Sequence, residues 1–323
     1  MGQQSQAGAE LARRELGASG INIEIVYEDH RTDAKVGVVG AKKLLDIDGV
    51  DAVLCDLTPP CIAASPVVAA AKKILMYQAP VVSILSTNPY AFKNFLDYQD
   101  GCERIALFWK QTGITRVAHF KVNAEFGELC LKGAHHVFPT AEEIAYDSND
   151  DLRPLVTRIK SSDVQAVFQT GYEADYINRL KAAADIGLSL PTAMPQPLLT
   201  QNVEQAVSPV ALAGTVAFGF PHISAEFVNR LKSAGLYRSP VSIESAAVAY
   251  MHVKQLAASI GACGKQGIDC ELRHVSSSPA DSVLGFKAWN NRVASYDYVL
   301  RRWADGKFVD IGSEQAPGTD FQR

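Results

Sequence analysis

Seven histidines, six cysteines and several adjacent carboxylates are the residues of this 323-residue chain whose types could carry chemistry. The histidines are His30, His119, His135, His136, His222, His252 and His274. None forms an HxxxH or HExxH pair, the spacing that sets two imidazoles on one helix face for a metal ion. His135 and His136 are adjacent on a predicted helix, so they face different directions and read as a solvated face rather than a metal site. Glu142-Glu143 and Asp150-Asp151 are neighbours in sequence, a pattern of helix caps and solvated faces more than of an acid/base pair. No GxGxxG, GxxxxGK[ST] or GxSxG is present, so dinucleotide, P-loop and nucleophile-elbow chemistry have no anchor. An enzyme would have to gather its catalytic groups from separated loops.

The cysteines are Cys55, Cys61, Cys102, Cys130, Cys263 and Cys270, and none forms a CxxC pair. They are too few for a disulfide scaffold of this length. Cys263 and Cys270 bracket the polar, turn-like GKQGID, which suits a local disulfide in an oxidising compartment. The alternative reading is six free, partly buried thiols.

The elements that must position these residues alternate. Short apolar runs predict strands at Ile21–Tyr27, Ala52–Asp56, Ile74–Gln78, Val81–Leu85, Arg116–Lys121, Glu143–Tyr146, Ala166–Thr170, Thr192–Pro195 and Thr215–Phe220. Between them, helical spacing predicts Asp33–Leu45, Pro60–Lys73, Glu125–Val137, Leu152–Ser161, Ala174–Ile186, Ala225–Ala234 and Ile243–Ile260. Asp33 and Asp150 suit N-caps, Thr58 caps a helix with Pro59-Pro60 in its first turn, and Gly187 suits a helix stop. Pro66 inside the Pro60–Lys73 pattern should kink it. Val283–Trp289, Tyr296–Trp303 and Lys307–Ile311 read as terminal strands, the last two joined by a turn at Ala304–Gly306. This order argues for βαβ units and parallel sheets covered by helices on both faces.

Length favours two domains, and 47% hydrophobic with 20% charged residues is globular composition. The net charge of −4, without blocks of like charge, argues against a nucleic-acid footprint or a polybasic anchor. No apolar run approaches the roughly 20 residues of a membrane span. The first residues lack the basic start and apolar core of a signal peptide. No low-complexity linker separates two halves, which suits domains built from non-contiguous pieces.

Several segments, taken in order, resemble the type I periplasmic binding proteins of the leucine/isoleucine/valine-binding family, the solute receptors of ABC importers. They are QAGAELARREL with GINIEIVYEDHRTDAKVGVVGAKKLLDIDGVDAVL, then ILMYQAPVVSILSTNP, RVAHFKVNAEFG and AVFQTGYEADYINRLKAAADIGL, and a terminal W-x-D-G-K-F turn. The resemblance runs from about residue 2 to residue 311. It implies an α/β fold of two Rossmann-like, doubly wound lobes joined by three hinge crossings, with a ligand cleft between them. Lobe one would be about 1–112 plus 222–290, and lobe two about 113–221 plus 291–323.

The resemblance also implies a solute receptor without catalytic residues, metal or cofactor. It would bind a small polar ligand (an amino acid, amide, urea-like compound, or organic or aromatic acid). Its partner would be a membrane permease, and its compartment the periplasm. A cytosolic ligand sensor of the same fold is the alternative, and an enzyme with scattered catalytic residues the third reading.

Six positions match family contacts. Ser86 and Thr87, after the predicted Val81–Leu85 strand, could bind a carboxylate or amide, or only shape the turn before Asn88-Pro89. Thr58 could contact ligand as well as cap its helix, but Pro59 and Pro60 replace the hydroxyls and N–H groups often found next to it. Phe126 matches an aromatic that packs on ligand, without the tyrosine hydroxyl. Tyr172 offers a ring face and an OH. Gln196 stands where amino-acid binders tend to carry an acid, which disfavours a zwitterionic ligand.

Family members normally open with a signal peptide, a first strand and a polar loop, whereas this chain starts near that loop's end. In the 2-1-3-4-5 order the absent strand is central. Its loss would leave unpaired backbone groups, a penalty of at least several kcal/mol by order of magnitude. Lobe one is therefore expected to rearrange or be unstable, and Met1 to be an internal or misassigned start. A diverged domain that pairs its strands differently is the alternative.

Overall fold

The computed structural model describes residues 2–195, 201–221, 223–239, 242–277 and 283–312. In chain order the first elements are α1 (Gly2–Ala18), α2 (Ala34–Lys42), β1 (Ala52–Asp56), α3 (Thr58–Ala70), β2 (Ile74–Gln78), α4 (Ser83–Thr87) and β3 (Ala91–Lys93). Then come α5 (Tyr98–Gln111), β4 (Val117–Val122), α6 (Glu125–Val137), β5 (Glu142–Tyr146), α7 (Arg153–Lys160), β6 (Ala166–Thr170) and α8 (Glu173–Asp185). β7 (Thr192–Pro195), α9 (Gln201–Ala206), α10 (Pro209–Leu212) and β8 (Val216–Gly219) follow. The chain closes with α11 (Ala225–Ser233), α12 (Ile243–Cys263), α13 (Ile268–Ser277), β9 (Phe286–Asn290), β10 (Val293–Tyr296), β11 (Val299–Ala304) and β12 (Lys307–Gly312).

These elements form two compact units, residues 1–96 with 220–297 and residues 97–219 with 298–323, so the chain passes between them three times. The boundaries differ from the expected lobes. α5 belongs to the second unit because it packs on α6 and β8, with Gly101 set against the Phe218 ring. β10 belongs to the first unit because Val293 pairs with Lys93 of β3. The predicted Tyr296–Trp303 strand is therefore two strands, β10 and β11, one in each unit, with the crossing at residues 297–298 between them.

In the first unit the sheet order is β1-β2-β3-β10-β9, parallel except for β9. Its core gathers Ile74, Met76 and Phe92 from the strands with Leu256 and Val275 from α12 and α13. α1 lies against α12 so closely that a Cβ on Gly8 would fall 1.8 Å from the Ala246 carbonyl oxygen. The Asp33 side chain caps α2 by accepting from the Lys35 and Val36 N–H groups. Pro66 is accommodated within a continuous α3.

Two strand expectations fail in this unit. Residues 21–30 form no strand, and β1 is left as the sheet edge. Ile21 and Tyr27 are accordingly exposed, together with Val36, Val39, Ile47 and Ile62. Val81–Leu85 is not a strand either: after Pro80 the chain makes the single helical turn α4, and the Tyr77 hydroxyl donates to the Val81 carbonyl. Short apolar runs carry no periodicity that separates these outcomes.

In the second unit the sheet order is β12-β11-β8-β7-β6-β4-β5. The strands from β5 to β8 are parallel, while β11 and β12 add as an antiparallel edge. Tyr176, Leu180, Met194, Val203, Leu212 and Trp303 pack together in its core. Gly187 has φ +67° just past α8, the expected helix stop. Asp150 is not a helix cap, since it accepts from the Asp147 N–H inside the preceding turn. The architecture is the mixed, mainly parallel α/β one expected.

All six cysteines are paired, as Cys55–Cys61, Cys102–Cys130 and Cys263–Cys270, and none is free. The expected local bridge forms between the end of α12 and α13. The reading of free thiols is overturned, because tertiary packing brings two further pairs together with Cα separations of 5.6 and 5.3 Å, within disulfide range.

Candidate functional site

In a parallel sheet, the loops that follow the carboxyl ends of the strands are where helix starts and free backbone donors gather. Each unit is built from these loops in turn. Among the described residues no helix is long and apolar enough to cross a membrane. Among them, too, no cluster of three or more His, Cys, Asp or Glu is placed to hold a metal ion.

In the first unit, β1 ends at Asp56 and turns into α3 within one residue. That residue, Leu57, has φ +69° and ψ 151°, a conformation otherwise almost confined to glycine. The Cys55–Cys61 bridge spans the turn, and the Leu57 N–H donates to the Gln78 carbonyl at 3.1 Å. Leu57, not Thr58, is the cap residue; Thr58 is the buried first residue of α3. Because Pro59 and Pro60 have no N–H, the first turn of α3 is poor in donors for an anion.

Asp56 and Gln78 lie at paired positions on β1 and β2. The Asp56 carboxylate accepts from the Ser5 hydroxyl at 2.5 Å. Burial raises its pKa, opposed by that hydrogen bond. Gln78 is 2% exposed and its Oε1 has no hydrogen-bond partner. It is one of several buried side-chain atoms without a partner among the described residues, and its place at a strand end leaves it an acceptor for a donor. Both residues were missed in the sequence. The signal was present: a polar residue closes each of two otherwise apolar strand runs.

Ser86 and Thr87 lie in α4. Their hydroxyls bond backward, Ser86 to the Ser83 carbonyl at 2.7 Å and Thr87 to the Ser83 and Ile84 carbonyls at 3.4 and 3.3 Å. The turn that follows is anchored by Asn88, fully buried, whose amide donates to the Ser65 carbonyl and hydroxyl of α3 at 3.2 and 3.1 Å.

In the second unit the structure brings Phe126 and Tyr172 together. Phe126 stands in the first turn of α6, after β4, and Tyr172 precedes α8, after β6. Their ring centroids are 5.4 Å apart at 79°, an edge-to-face pair. Phe126 is buried and also meets Tyr98 at 6.1 Å, and Tyr98 meets Phe218 at 5.5 Å. Phe126 is thus part of an aromatic row as well as a loop residue, while Tyr172 is half-buried at its end.

The Tyr172 loop is held from below. Its N–H donates to Asp175 at 2.8 Å, and the same carboxylate accepts from the Ser148 hydroxyl. Burial raises the Asp175 pKa, with these donors pulling the other way. Burial, then the nearby Asp175 charge, raises the Tyr172 pKa, so its hydroxyl is a donor at neutral pH. Gly171 is fixed by closeness, since a Cβ there would lie 2.3 Å from the Tyr146 hydroxyl. Further along α8, buried Arg179 donates to Gln169 Oε1 at 2.6 Å and Thr192 Oγ1 at 2.9 Å, tying the helix to β6 and β7. Burial lowers its pKa to about 10, which leaves it charged at neutral pH. Gln196 lies outside the described residues.

A cavity of about 240 Å³ in this unit, lined by Arg116, Glu142 and Asp163 among others, opens at the starts of β4 and β5, the opposite strand ends from Phe126 and Tyr172.

A model of the periplasmic binding protein family matches residues 1–307. No curated protein sequence matches. Among solved structures, the leucine binding protein LivK from Thermotoga maritima is similar with a TM-score of 0.85 and 16% identity, over 96% of this chain and 93% of that one. The branched-chain amino acid substrate binding protein LivJ from Streptococcus pneumoniae, in complex with isoleucine, gives 0.83 and 17% over 95% and 94%. A solute binding protein of an ABC transporter from Rhodopseudomonas palustris HaA2, in complex with p-hydroxybenzoic acid, gives 0.83 and 21% over 96% and 90%. At these identities the likeness is one of fold.

Proposed function

The chain belongs to the periplasmic binding protein family, and from that premise we propose that it is the solute receptor of an ABC importer, not an enzyme. The family match along residues 1–307 carries this reading. The receptor would close on a small ligand and present the closed form to a membrane permease.

The three disulfides support an oxidising, extracytoplasmic compartment, and they weigh against the cytosolic sensor of the same fold.

The ligand class follows from the strand-end loops. In the second unit, Phe126 and Tyr172 offer aromatic ring surface and the Tyr172 hydroxyl a donor; in the first unit, Gln78 offers an acceptor, while the Ser86 and Thr87 hydroxyls already donate into their own turn. These features favour a small ligand with a flat or branched apolar body that carries a hydrogen-bond donor as well as an acceptor. The similar structures hold such molecules: isoleucine in one, p-hydroxybenzoic acid in another. Aromatic acids rank above amino acids here, because a glutamine at position 196 supplies no negative charge for a ligand ammonium.

A thermal-shift screen of aromatic acids, amino acids, amides and ureas tests the proposal. One class that raises the melting temperature and is recovered unchanged supports it. Consumption of the stabilising compound would refute it.

A further inference from the structure

The hairpin between β9 and β10 has a two-residue turn, Asn291-Arg292, with φ +48° and +68°. Hairpins of this type strongly favour glycine at the second position, where a side chain is strained. An arginine there requires a compensating role, and its side chain supplies one. Nη1 donates to the carbonyls of Asn88 at 2.7 Å and Ala91 at 3.2 Å, and Nη2 to the carbonyl of Leu85 at 2.9 Å. The Arg292 carbonyl in turn accepts from the Lys93 N–H at 2.8 Å.

Two of those carbonyls, of Leu85 and Asn88, flank Ser86 and Thr87, and the third, of Ala91, opens β3. α4 is a single turn, too short to persist unaided, and its carboxyl end carries unsatisfied carbonyls that a cation complements. A guanidinium spreads its donors in a rigid fork and can hold all three at once, which a lysine ammonium on a flexible stem cannot do with the same geometry.

We propose that Arg292 is a positioning residue for ligand binding. It holds the Ser86–Thr87 turn in its binding conformation through bonds that span 201 to 207 residues of sequence, without itself touching ligand. This rests on the receptor reading and on Ser86 and Thr87 contributing to the site. Without the clamp, the turn would have to be ordered by the ligand, and affinity would fall by that ordering free energy.

Arg292→Gly separates this role from a merely structural one, because glycine relaxes the turn while removing the clamp. Hydrogen exchange of residues 83–91, melting temperature, and affinity for benzoate, 4-hydroxybenzoate, L-leucine and L-isoleucine are measured on the full chain, alongside Arg292→Lys. Arg292→Gly is expected to stay folded and to melt within a few degrees of the parent, because relief of the turn partly offsets the lost clamp. It should exchange at least tenfold faster over 83–91 and bind the accepted probe at least tenfold more weakly, with Arg292→Lys falling between. Unchanged affinity with the parent binding normally overturns the inference and leaves the receptor reading standing. Unchanged exchange over 83–91 also overturns it. If the parent binds none of the four probes nor any compound of the screen, the receptor reading and this inference fall together.

Discussion

The Cys102–Cys130 bridge gives a prediction that the second unit can be asked about on its own. Both cysteines are buried, one on α5 and one on α6, and they are 28 residues apart in sequence. Closing a loop of that length in the unfolded chain removes enough entropy to stabilise the fold by about 3.5 kcal/mol. The Cys55–Cys61 and Cys263–Cys270 bridges close loops of separation 6 and 7. They are expected to contribute about 2.5 kcal/mol each, and both act on the first unit. Replacing Cys102 and Cys130 together by alanine is the cleanest perturbation, because serine would bury two hydroxyls at sites that are almost fully enclosed. With a slope near 2 kcal/mol per molar urea, the midpoint of the second unit should fall by roughly 1.8 M. The transition of the first unit should stay in place, and the two can be told apart by hydrogen exchange resolved along the chain. The parent protein should not react with a thiol reagent until reductant is added. A midpoint within about 0.3 M of the parent, from a variant verified by mass, would refute the loop-entropy reasoning. Thiols that react without reductant would refute the pairing and remove the support for an oxidising compartment.

Three further outcomes are expected. Tyr172→Ala should weaken binding of the accepted ligand at least tenfold while leaving the melting temperature within a few degrees, and Tyr172→Phe should retain part of the affinity; unchanged binding by calorimetry would take Tyr172 out of the site. Leu57→Gly relieves a backbone conformation that costs about 1–3 kcal/mol, so the first unit should melt several degrees higher, provided the lost leucine packing is smaller than that. His119 is fully buried, and burial lowers its pKa from 6.5 to about 3. The unfolded chain therefore takes up a proton that the folded one refuses: the contribution is whole above about pH 6.5 and is lost as pH falls toward 3, with a slope near 1.4 kcal/mol per pH unit in that window. His119→Leu should flatten the acid limb of the second unit's stability by about one proton, read from urea midpoints between pH 4 and 7.

The alternation of strands and helices was legible because each parallel strand is covered on both faces and so reads as an apolar run. β1, β2, β4, β6, β7 and β8 fall where such runs stand. What was not legible depends on partners distant in sequence. Ile21–Tyr27 has strand composition but joins no sheet, and Tyr296–Trp303, rich in aromatic residues, is cut by the crossing between units. α5 could have been read: Tyr98, Cys102, Ile105 and Trp109 bury one face at helical spacing, and Asp97 caps it by accepting from the Gln99 and Asp100 N–H groups. Two of three cysteine pairs could not be read, since nothing local joins Cys55 to Cys61 across two prolines or Cys102 to Cys130 across a whole strand. At the site, hydroxyl positions were readable but their direction was not. Ser86 and Thr87 bond into their own turn, while Gln78, unremarkable in sequence, closes β2 with a buried oxygen that has no partner.

The two sets of loops differ in what they can recognise, and the difference bears on ligand choice. The turn after β1 is rigid and donor-poor. It is bridged by a disulfide, strained at Leu57, and followed by two prolines that remove N–H groups from the first turn of α3. A helix start with its N–H groups free would favour any carboxylate by charge alone. This one cannot, so recognition by the first unit's loops would fall to side chains with fixed directions: the Gln78 oxygen and the hydroxyls near α4. Such a site discriminates by shape and hydrogen-bond pattern more than by net charge. Its affinity should therefore depend weakly on ionic strength, because short-range contacts are little screened. A strong salt dependence of binding would instead point to an ion pair between ligand and a charged side chain.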